Sequence, residues 1–345
     1  MSLLKFIKRL LLFLLILVLI IVSIRFINGK RTKSLETFDT SSSALTFLSD
    51  FNREDYEKST YSDLTITKID QGMVQGYHFK PNNITKKQTI VTFSGSDGGI
   101  LYPQSIFLAQ NGYDVYGMYY YGQKNLPEVL SNVEITNFSH IIDYIRNEKK
   151  EQITFTIIGG SKGAELSLLL ANYYPKDIEN VILYAPSVYM WEGLNPDRTK
   201  IEPSFLIDHK EPNYLSFSQI SGKTLFVFSF NLLLNKPICY RIFYDDIVNN
   251  EKELSKYTIP LDNIKANVLM FAGEDDQMWN SEKMAQQIKE NLKNKCTLYT
   301  YKDAGHLFIG PSVFNNLLLG GEYKANEQAL EDSNQKLLQF LDNQK

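Results

Sequence analysis

Three side chains in this 345-residue sequence have the types and order needed to break an acyl bond: Ser161, Asp276 and His306. A serine hydroxyl is a poor nucleophile at neutral pH. It becomes a good one when a histidine accepts its proton and a carboxylate fixes the histidine tautomer and stabilises the imidazolium. Ser161 sits in Gly159-Gly160-Ser161-Lys162-Gly163, a Gly-x-Ser-x-Gly pattern. The β-branched run Ile153-Thr154-Phe155-Thr156-Ile157-Ile158 leads into it, and the apolar run Leu166 to Ala171 leads out. Strand, tight turn, helix is the setting that holds a serine up at the edge of a sheet. The glycines leave room for so sharp a turn. Taken alone, the five residues also fit an ordinary Gly-rich strand-to-helix turn, so the residues downstream have to decide.

Two further turns follow expected strands. Val268-Leu269-Met270-Phe271 runs into Gly273-Glu274-Asp275-Asp276, and Thr297-Leu298-Tyr299-Thr300-Tyr301 runs into Asp303-Ala304-Gly305-His306. Asp275 competes with Asp276 for the acid role. Asp276 is preferred because three residues after Gly273 let the chain turn back towards the site. His306 follows Ala304-Gly305, which leaves space around the ring. The remaining histidines fit less well: His78 and His140 precede the elbow, and His209 precedes the acid strand. Each residue also has a plain structural use, as a turn serine, a helix-cap acid or a surface histidine. The order Ser…Asp…His, each after a strand, is what lifts the set above those readings. An oxyanion would need two preorganised backbone N–H groups. One is expected from Lys162, the other from Ser96 in the loop after strand 89–93, where Gly95, Gly98 and Gly99 permit close approach. The Lys162 side chain is expected either to bias anionic substrates towards the site or to reach solvent.

The elements that must position these groups alternate. Strands are expected at 89–93, 114–119, 153–158, 181–184, 268–271 and 297–301, after a hairpin around Gln71-Gly72. Helices are expected at 103–111, 134–148, 281–293 and 325–341, and a short one within 45–62. In the second of these, Ile135, Phe138, Ile141, Ile142 and Ile145 recur at helical spacing. The fold class is therefore α/β: a mostly parallel sheet with helices on both faces, the α/β-hydrolase arrangement. Residues 187–262 interrupt the alternation. They read as a cap or lid over the site, or as an insertion with its own small core. The apolar segment Leu225-Phe226-Val227-Phe228 within them is too short to span a bilayer.

The first residues differ from the rest. An apolar run from Leu10 to Val22, extended by Ser23 and Ile24, lies between Lys5, Lys8, Arg9 and Arg25. Fifteen helical residues give roughly 22 Å against a hydrocarbon core of about 30 Å, a gap that snorkelling basic side chains can close. Residues 1–27 are read as an uncleaved membrane anchor. A cleaved signal peptide would need a small-x-small site after the run, and Ile24-Arg25-Phe26-Ile27-Asn28 offers none. Basic residues flank both ends, so charge leaves the orientation open, and a catalytic domain outside the cytoplasm is the arrangement favoured. Residues 28–44 read as a polar tether and 45–345 as the hydrolase domain.

Composition narrows the class. The chain is 43% hydrophobic, enough for a large core, and its net charge of −3 argues against a nucleic-acid partner. Cys239 and Cys296 have no metal or redox spacing, and read as two lone thiols or a single disulfide. The chemistry proposed for the triad calls for no cofactor or metal.

Several motifs occur together: Gly160-Ser161-Lys162-Gly163-Ala164-Glu165, Gly273 to Ser281, Ala304-Gly305-His306-Leu307, Tyr119-Tyr120-Tyr121 followed by Leu126-Pro127, Ile259-Pro260-Leu261-Asp262-Asn263-Ile264, and Gly320-Gly321 before the closing helix. Over residues 60–342 they resemble the C-terminal catalytic domain shared by acyl-CoA thioesterases and bile acid-CoA:amino acid N-acyltransferase. The resemblance implies an α/β-hydrolase fold and a triad of Ser161, Asp276 and His306. Transferases of that family carry cysteine at the elbow, so the serine here implies hydrolysis. Animal members have an immunoglobulin-like domain ahead of this one, for which residues 34–85 are too short. The expected activity is hydrolysis of a small-molecule acyl ester or thioester through an acyl-serine. Transfer to an amine or alcohol acceptor is the alternative within enzymes, and a silent membrane-tethered binding module the alternative outside them.

Overall fold

Runs of β-branched and aromatic residues alternate with helix-period runs, and the backbone follows that alternation. A computed structural model describes residues 3–36 and 61–344. The short helix expected within 45–62 falls almost wholly outside the described residues. The first element, α1 (Leu3–Leu35), is a single 33-residue helix, long and apolar enough to cross a membrane. At 1.5 Å per residue it is about 50 Å long.

The sheet begins with the hairpin β1 (Leu64–Gln71) and β2 (Val74–Pro81). There follow β3 (Thr89–Phe93), α2 (Tyr102–Gln110), β4 (Asp114–Met118), the two-residue β5 (Val133–Glu134) and α3 (Phe138–Lys149). Next come β6 (Phe155–Gly160), α4 (Lys162–Tyr173), β7 (Ile178–Tyr184) and the two-residue β8 (Phe205–Leu206). The second half holds α5 (Gly222–Leu233), α6 (Arg241–Asn250), β9 (Asn267–Gly273), α7 (Ser281–Leu292) and β10 (Cys296–Tyr301). A small ribbon, β11 (Val313–Phe314) with β12 (Leu317–Leu318), precedes the closing α8 (Tyr323–Asp342).

The eight-stranded sheet runs β1-β2-β4-β3-β6-β7-β9-β10. β1 and β2 are antiparallel to their neighbours, and every pairing from β4 to β10 is parallel. Parallel strands covered on both faces need apolar residues at every position. Successive residues duly enter opposite cores: Val91, Ile157 and Val181 join one, and Ile90, Ile158 and Ile182 the other. α3, α4 and α7 cover the first face, while α2 and α8 cover the second. Register sets the height of the loops. Phe93 pairs with Gly159, so the loop after β3 rises beside the elbow. Tyr301 pairs with Gly273, so the acid and histidine turns leave the sheet side by side.

Two sequence expectations change. Residues 187–216 have no core of their own: Val188, Tyr189, Met190, Trp191, Phe205 and Leu215 are buried in the core beneath α3 and α4. β8 there pairs with β5. The N-terminal helix also runs on through residues 28–35, the first part of the stretch read as a tether; residues 37–44 lie outside the described residues. Contacts with the domain explain the continuation. Arg25 Nη1 donates to the carbonyls of Leu232 (3.3 Å) and Leu233 (2.6 Å), and Asn28 Nδ2 to that of Leu234 (2.7 Å). Glu36 Oε1 accepts from the Asn316 amide at 2.9 Å. Cys239 and Cys296 are both free thiols.

Candidate active site

Ser161 joins β6 to α4 in a conformation that L-residues rarely adopt, φ 55° and ψ −119°. Such a residue costs roughly 1–3 kcal/mol and persists only where its surroundings enforce it. The enforcement is visible. The Ser161 amide donates to the Tyr184 carbonyl at 2.9 Å, and the Ser161 carbonyl accepts from Ala164 and Glu165. Gly163 lies so close to β3 that a Cβ there would stand 2.2 Å from the Ser94 oxygen. Gly95 touches the nucleophile itself: a Cβ on it would stand 3.1 Å from Ser161 Cβ. The loop carrying Ser96 thus begins against the elbow, and Ser96 is the exposed residue next to that contact. Tyr120 holds the loop by donating to the Ser94 and Gly95 carbonyls (3.1 and 2.8 Å). Asp97 braces it further through Ser94 Oγ (2.8 Å) and the Gly99 amide (2.9 Å).

Asp276 and His306 meet directly. Asp276 Oδ2 lies 2.9 Å from His306 Nδ1, with both side chains buried. The carboxylate is fully engaged: Oδ2 also accepts from Ser281 Oγ at 2.6 Å, and Oδ1 from the Met278 and Trp279 amides at 2.9 and 3.3 Å. Arg241 Nη1 holds the Asp276 carbonyl at 2.7 Å. Asp275 points elsewhere. Its carboxylate accepts from the Gly321 amide (2.8 Å) and from Gln277 Nε2 (2.6 Å), pinning the Gly320-Gly321 turn. Between the two acids, the geometry pairs Asp276 with the imidazole.

The histidine turn is braced from behind. Its neighbour Gly305 donates to Asn326 Oδ1 at 2.7 Å, and Asn326 Nδ2 donates to the carbonyls of Ile309, Gly310 and Gly320. Asn326 is fully buried on α8. Trp279 stands edge-on to the imidazole, with ring centroids 5.7 Å apart. Leu307, next in sequence, lies over the elbow, 3.2 Å from where a Cβ on Gly160 would be. The histidine and serine turns are therefore in contact. Ser161 Oγ makes no hydrogen bond among the described residues.

The Lys162 side chain does neither of the things expected of it. It points into the protein and is 1% exposed, with Nζ 2.8 Å from Glu165 Oε2 and 2.7 Å from Ser204 Oγ. Glu165 is buried too, and its other oxygen accepts from the Trp191 amide at 3.2 Å. Burial pushes the Lys162 ammonium down and the Glu165 carboxyl up from their ordinary values, and the pairing opposes both shifts. The pair ties α4 to residues 191–204. The Lys162 backbone N–H lies in the first turn of α4, where helix amides have no helical partner.

Sequence reasoning missed Ser281, Arg241 and Asn326. Ser281 follows the Asn280 that caps α7, so it reads as part of a helix start. Arg241 and Asn326 carry no local signal of a role at the site.

Strand order, elbow and the Asp–His pair define an α/β-hydrolase. A cavity of about 130 Å³ lies apart from the triad, between Trp191, Tyr244, Asp245 and α7. Residues 133–345 match the family described as BAAT / acyl-CoA thioester hydrolase C terminal, and the chain belongs to that family. It is 23% identical over 291 residues to acyl-coenzyme A amino acid N-acyltransferase 1 of Mus musculus, covering 79% of this chain and 64% of the relative. It is 23% identical over 293 residues to acyl-coenzyme A thioesterase 1 of Rattus norvegicus, covering 80% and 64%. Acyl-coenzyme A thioesterase 5 of Mus musculus is 25% identical over 301 residues, with coverages of 79% and 64%. The chain thus spans somewhat under two thirds of these relatives' length. Among solved structures, carboxylesterase CesB of Bacillus subtilis is similar over 86% of this chain and 98% of its own, at 14% identity and a TM-score of 0.46.

Proposed function

We propose that the chain is a serine-dependent hydrolase of acyl esters or thioesters, held at a membrane by α1. The observation that carries the reading is the buried Asp276–His306 pair at 2.9 Å, on a turn packed against a serine held at positive φ. His306 takes the Ser161 proton as Oγ bonds to the substrate carbonyl carbon. The oxyanion is met by the backbone N–H groups of Lys162 and Ser96. Collapse expels the alcohol or thiol, which leaves with the proton from His306. Water then attacks the acyl-serine with His306 again as base, releasing the carboxylic acid and free Ser161. The hydrogen bond between Ser161 Oγ and His306 that this chemistry needs is of the kind that forms or tightens only when substrate arrives. Residues 187–262, of which 187–216 pack on the domain's own core and are tied to α4 through Lys162, act as the cap.

Retention of α1 in the working protein is supported by its contacts with the folded domain through Arg25, Asn28 and Glu36, which a cleaved signal segment would not make. A second reading, acyl transfer to an amine, draws on the N-acyltransferase relatives. Product analysis with amino acid acceptors separates it from hydrolysis. The test of the main reading is covalent labelling by a fluorophosphonate. Wild-type protein takes up the probe and Ser161→Ala does not; labelling that persists in that variant ends the assignment.

A further inference from the structure

Helix α5 is built the wrong way round for a protein surrounded by water. None of its residues is buried, and Leu225, Phe226, Val227, Phe230, Leu232 and Leu233 are each at least 42% exposed, Phe226 reaching 72%. Phe226 and Phe230 stack along its outer side, while Phe228 turns inward against Phe243 with ring centroids 4.7 Å apart. Soluble proteins scatter exposed apolar side chains singly. A contiguous set on one helix marks a surface that something covers.

The position of α5 identifies the cover. Its C-terminal carbonyls, at Leu232 and Leu233, accept from Arg25, and Asn235 Nδ2 returns a bond to the Arg25 carbonyl at 3.3 Å. Arg25 is the first charged residue after the apolar run of α1, and so marks the level at which α1 leaves hydrocarbon. Ile21 and Ile24, two turns and one turn before Asn28, are with it the partly covered positions on that side of α1. The exposed aromatic and aliphatic face of α5 is therefore fastened at the depth where a bilayer's headgroup region must lie. An apolar helix of this length at that depth fits the interface rather than a crossing.

We infer that α5 lies in the interface of the membrane that α1 enters, forming a second contact between the domain and lipid. The inference rests on α1 being a membrane span. The chain after α5 carries the contact to the site: Ile238 bonds the Asn316–Leu318 ribbon, and Arg241, through N and Nη1, bonds the carbonyls of Gln277 and Asp276. Arg241, which holds the acid turn, thus follows the end of a lipid-held helix by eight residues, and the acyl substrate that suits such a site is an amphiphile residing in the bilayer surface.

The experiment uses the full chain reconstituted in phosphatidylcholine–phosphatidylglycerol vesicles containing lipids brominated along the acyl chain. The two native tryptophans, Trp191 and Trp279, are buried and give a constant background. Phe226→Trp and Phe230→Trp should lose most of their added emission to lipids brominated near the headgroup, whereas Ile84→Trp, exposed on the loop between β2 and β3, should not. Leu15→Trp reports on α1 separately and should be quenched by bromines deep in the chain. Quenching of Leu15→Trp with none at Phe226→Trp or Phe230→Trp overturns the inference alone, and is also what coverage of α5 by a second copy would give. No quenching at Leu15→Trp overturns the membrane span and the inference with it, leaving fluorophosphonate labelling of Ser161 unaffected.

Discussion

Asp276→Asn is the substitution on which the site's geometry makes its sharpest demand. The amide has two ways to lie in the pocket. With its NH₂ at the Oδ1 position it would face the Met278 and Trp279 amides, donor against donor, in a buried place. With its NH₂ at the Oδ2 position the backbone bonds survive, and the Ser281 hydroxyl can rotate to accept. The second arrangement wins, and it presents a donor to His306 Nδ1 across 2.9 Å. Nδ1 must then accept, so the ring proton moves to Nε2, the nitrogen that has to take the proton from Ser161. The fold is kept and the base is lost. A wrong-tautomer histidine of this kind lowers kcat about 10⁴-fold, or about 5.4 kcal/mol of barrier. The assay is turnover of a p-nitrophenyl ester and of a long-chain acyl-CoA by wild-type and variant protein, with thermal unfolding as the check on folding. Asp275→Asn is the control. It keeps an acceptor for the Gly321 amide and should lose less than about tenfold, because Asp275 positions a turn and touches no reacting group. An Asp276→Asn protein within about tenfold of wild type, or an Asp275→Asn protein that loses the larger factor, would refute the pairing as the working one.

Two further substitutions test the supports. Lys162→Met leaves the Glu165 carboxylate buried without its cation, and should cost roughly 3–5 kcal/mol in urea unfolding. Lys162→Met/Glu165→Gln, which buries no charge, should regain much of that; an equal loss in both would show that the ion pair is not what matters. Asn326→Ala strands the Gly305 amide and three carbonyls beneath the histidine turn. It should lower stability by about 1–3 kcal/mol and reduce kcat more than it changes KM, since it frees His306 to move without touching substrate. An unchanged kcat in a correctly folded Asn326→Ala protein would show that the turn holds its shape unaided.

The parts of the fold that were legible in the sequence are those governed by short-range patterns. β6 and the elbow could be read because parallel strands buried on both faces leave a continuous apolar run, and a serine at positive φ demands small neighbours. α3 could be read from its four buried positions at helical spacing. The pairing of His306 with Asp276 rather than Asp275 was only a preference. Adjacent residues in a turn point in different directions, and the direction is fixed by Ser281 and two backbone amides that have no sequence signature. Lys162 was misread for a related reason. A lysine beside a nucleophile looks solvent-directed until its partner Glu165, one helical turn on, is seen to be buried beneath residues 191–204, whose packing on the main core the sequence does not announce.

The same limit explains the reading of Leu225 to Phe228 as little more than a short apolar stretch. Apolar runs in a globular chain are ordinarily buried, and a run of twelve residues cannot span a bilayer, so nothing local marks α5 as a lipid contact. Its meaning depends on where its far end is fastened, and that end is bonded to Arg25, more than two hundred residues earlier. One span alone leaves a domain free to swivel about its tether. A span and an interfacial helix together, as proposed for α1 and α5, would fix its tilt, and with it the height of Asp276 and His306 above the lipid. On that inference a membrane amphiphile would be delivered by the surface that α5 occupies, and a soluble thioester would not depend on it. Comparing turnover of one acyl ester dispersed in vesicles and in detergent-free solution, for wild type and for a protein with Phe226 and Phe230 both changed to Ser, reads that difference directly: the double variant should lose activity on the vesicle-borne ester and keep it on the soluble one.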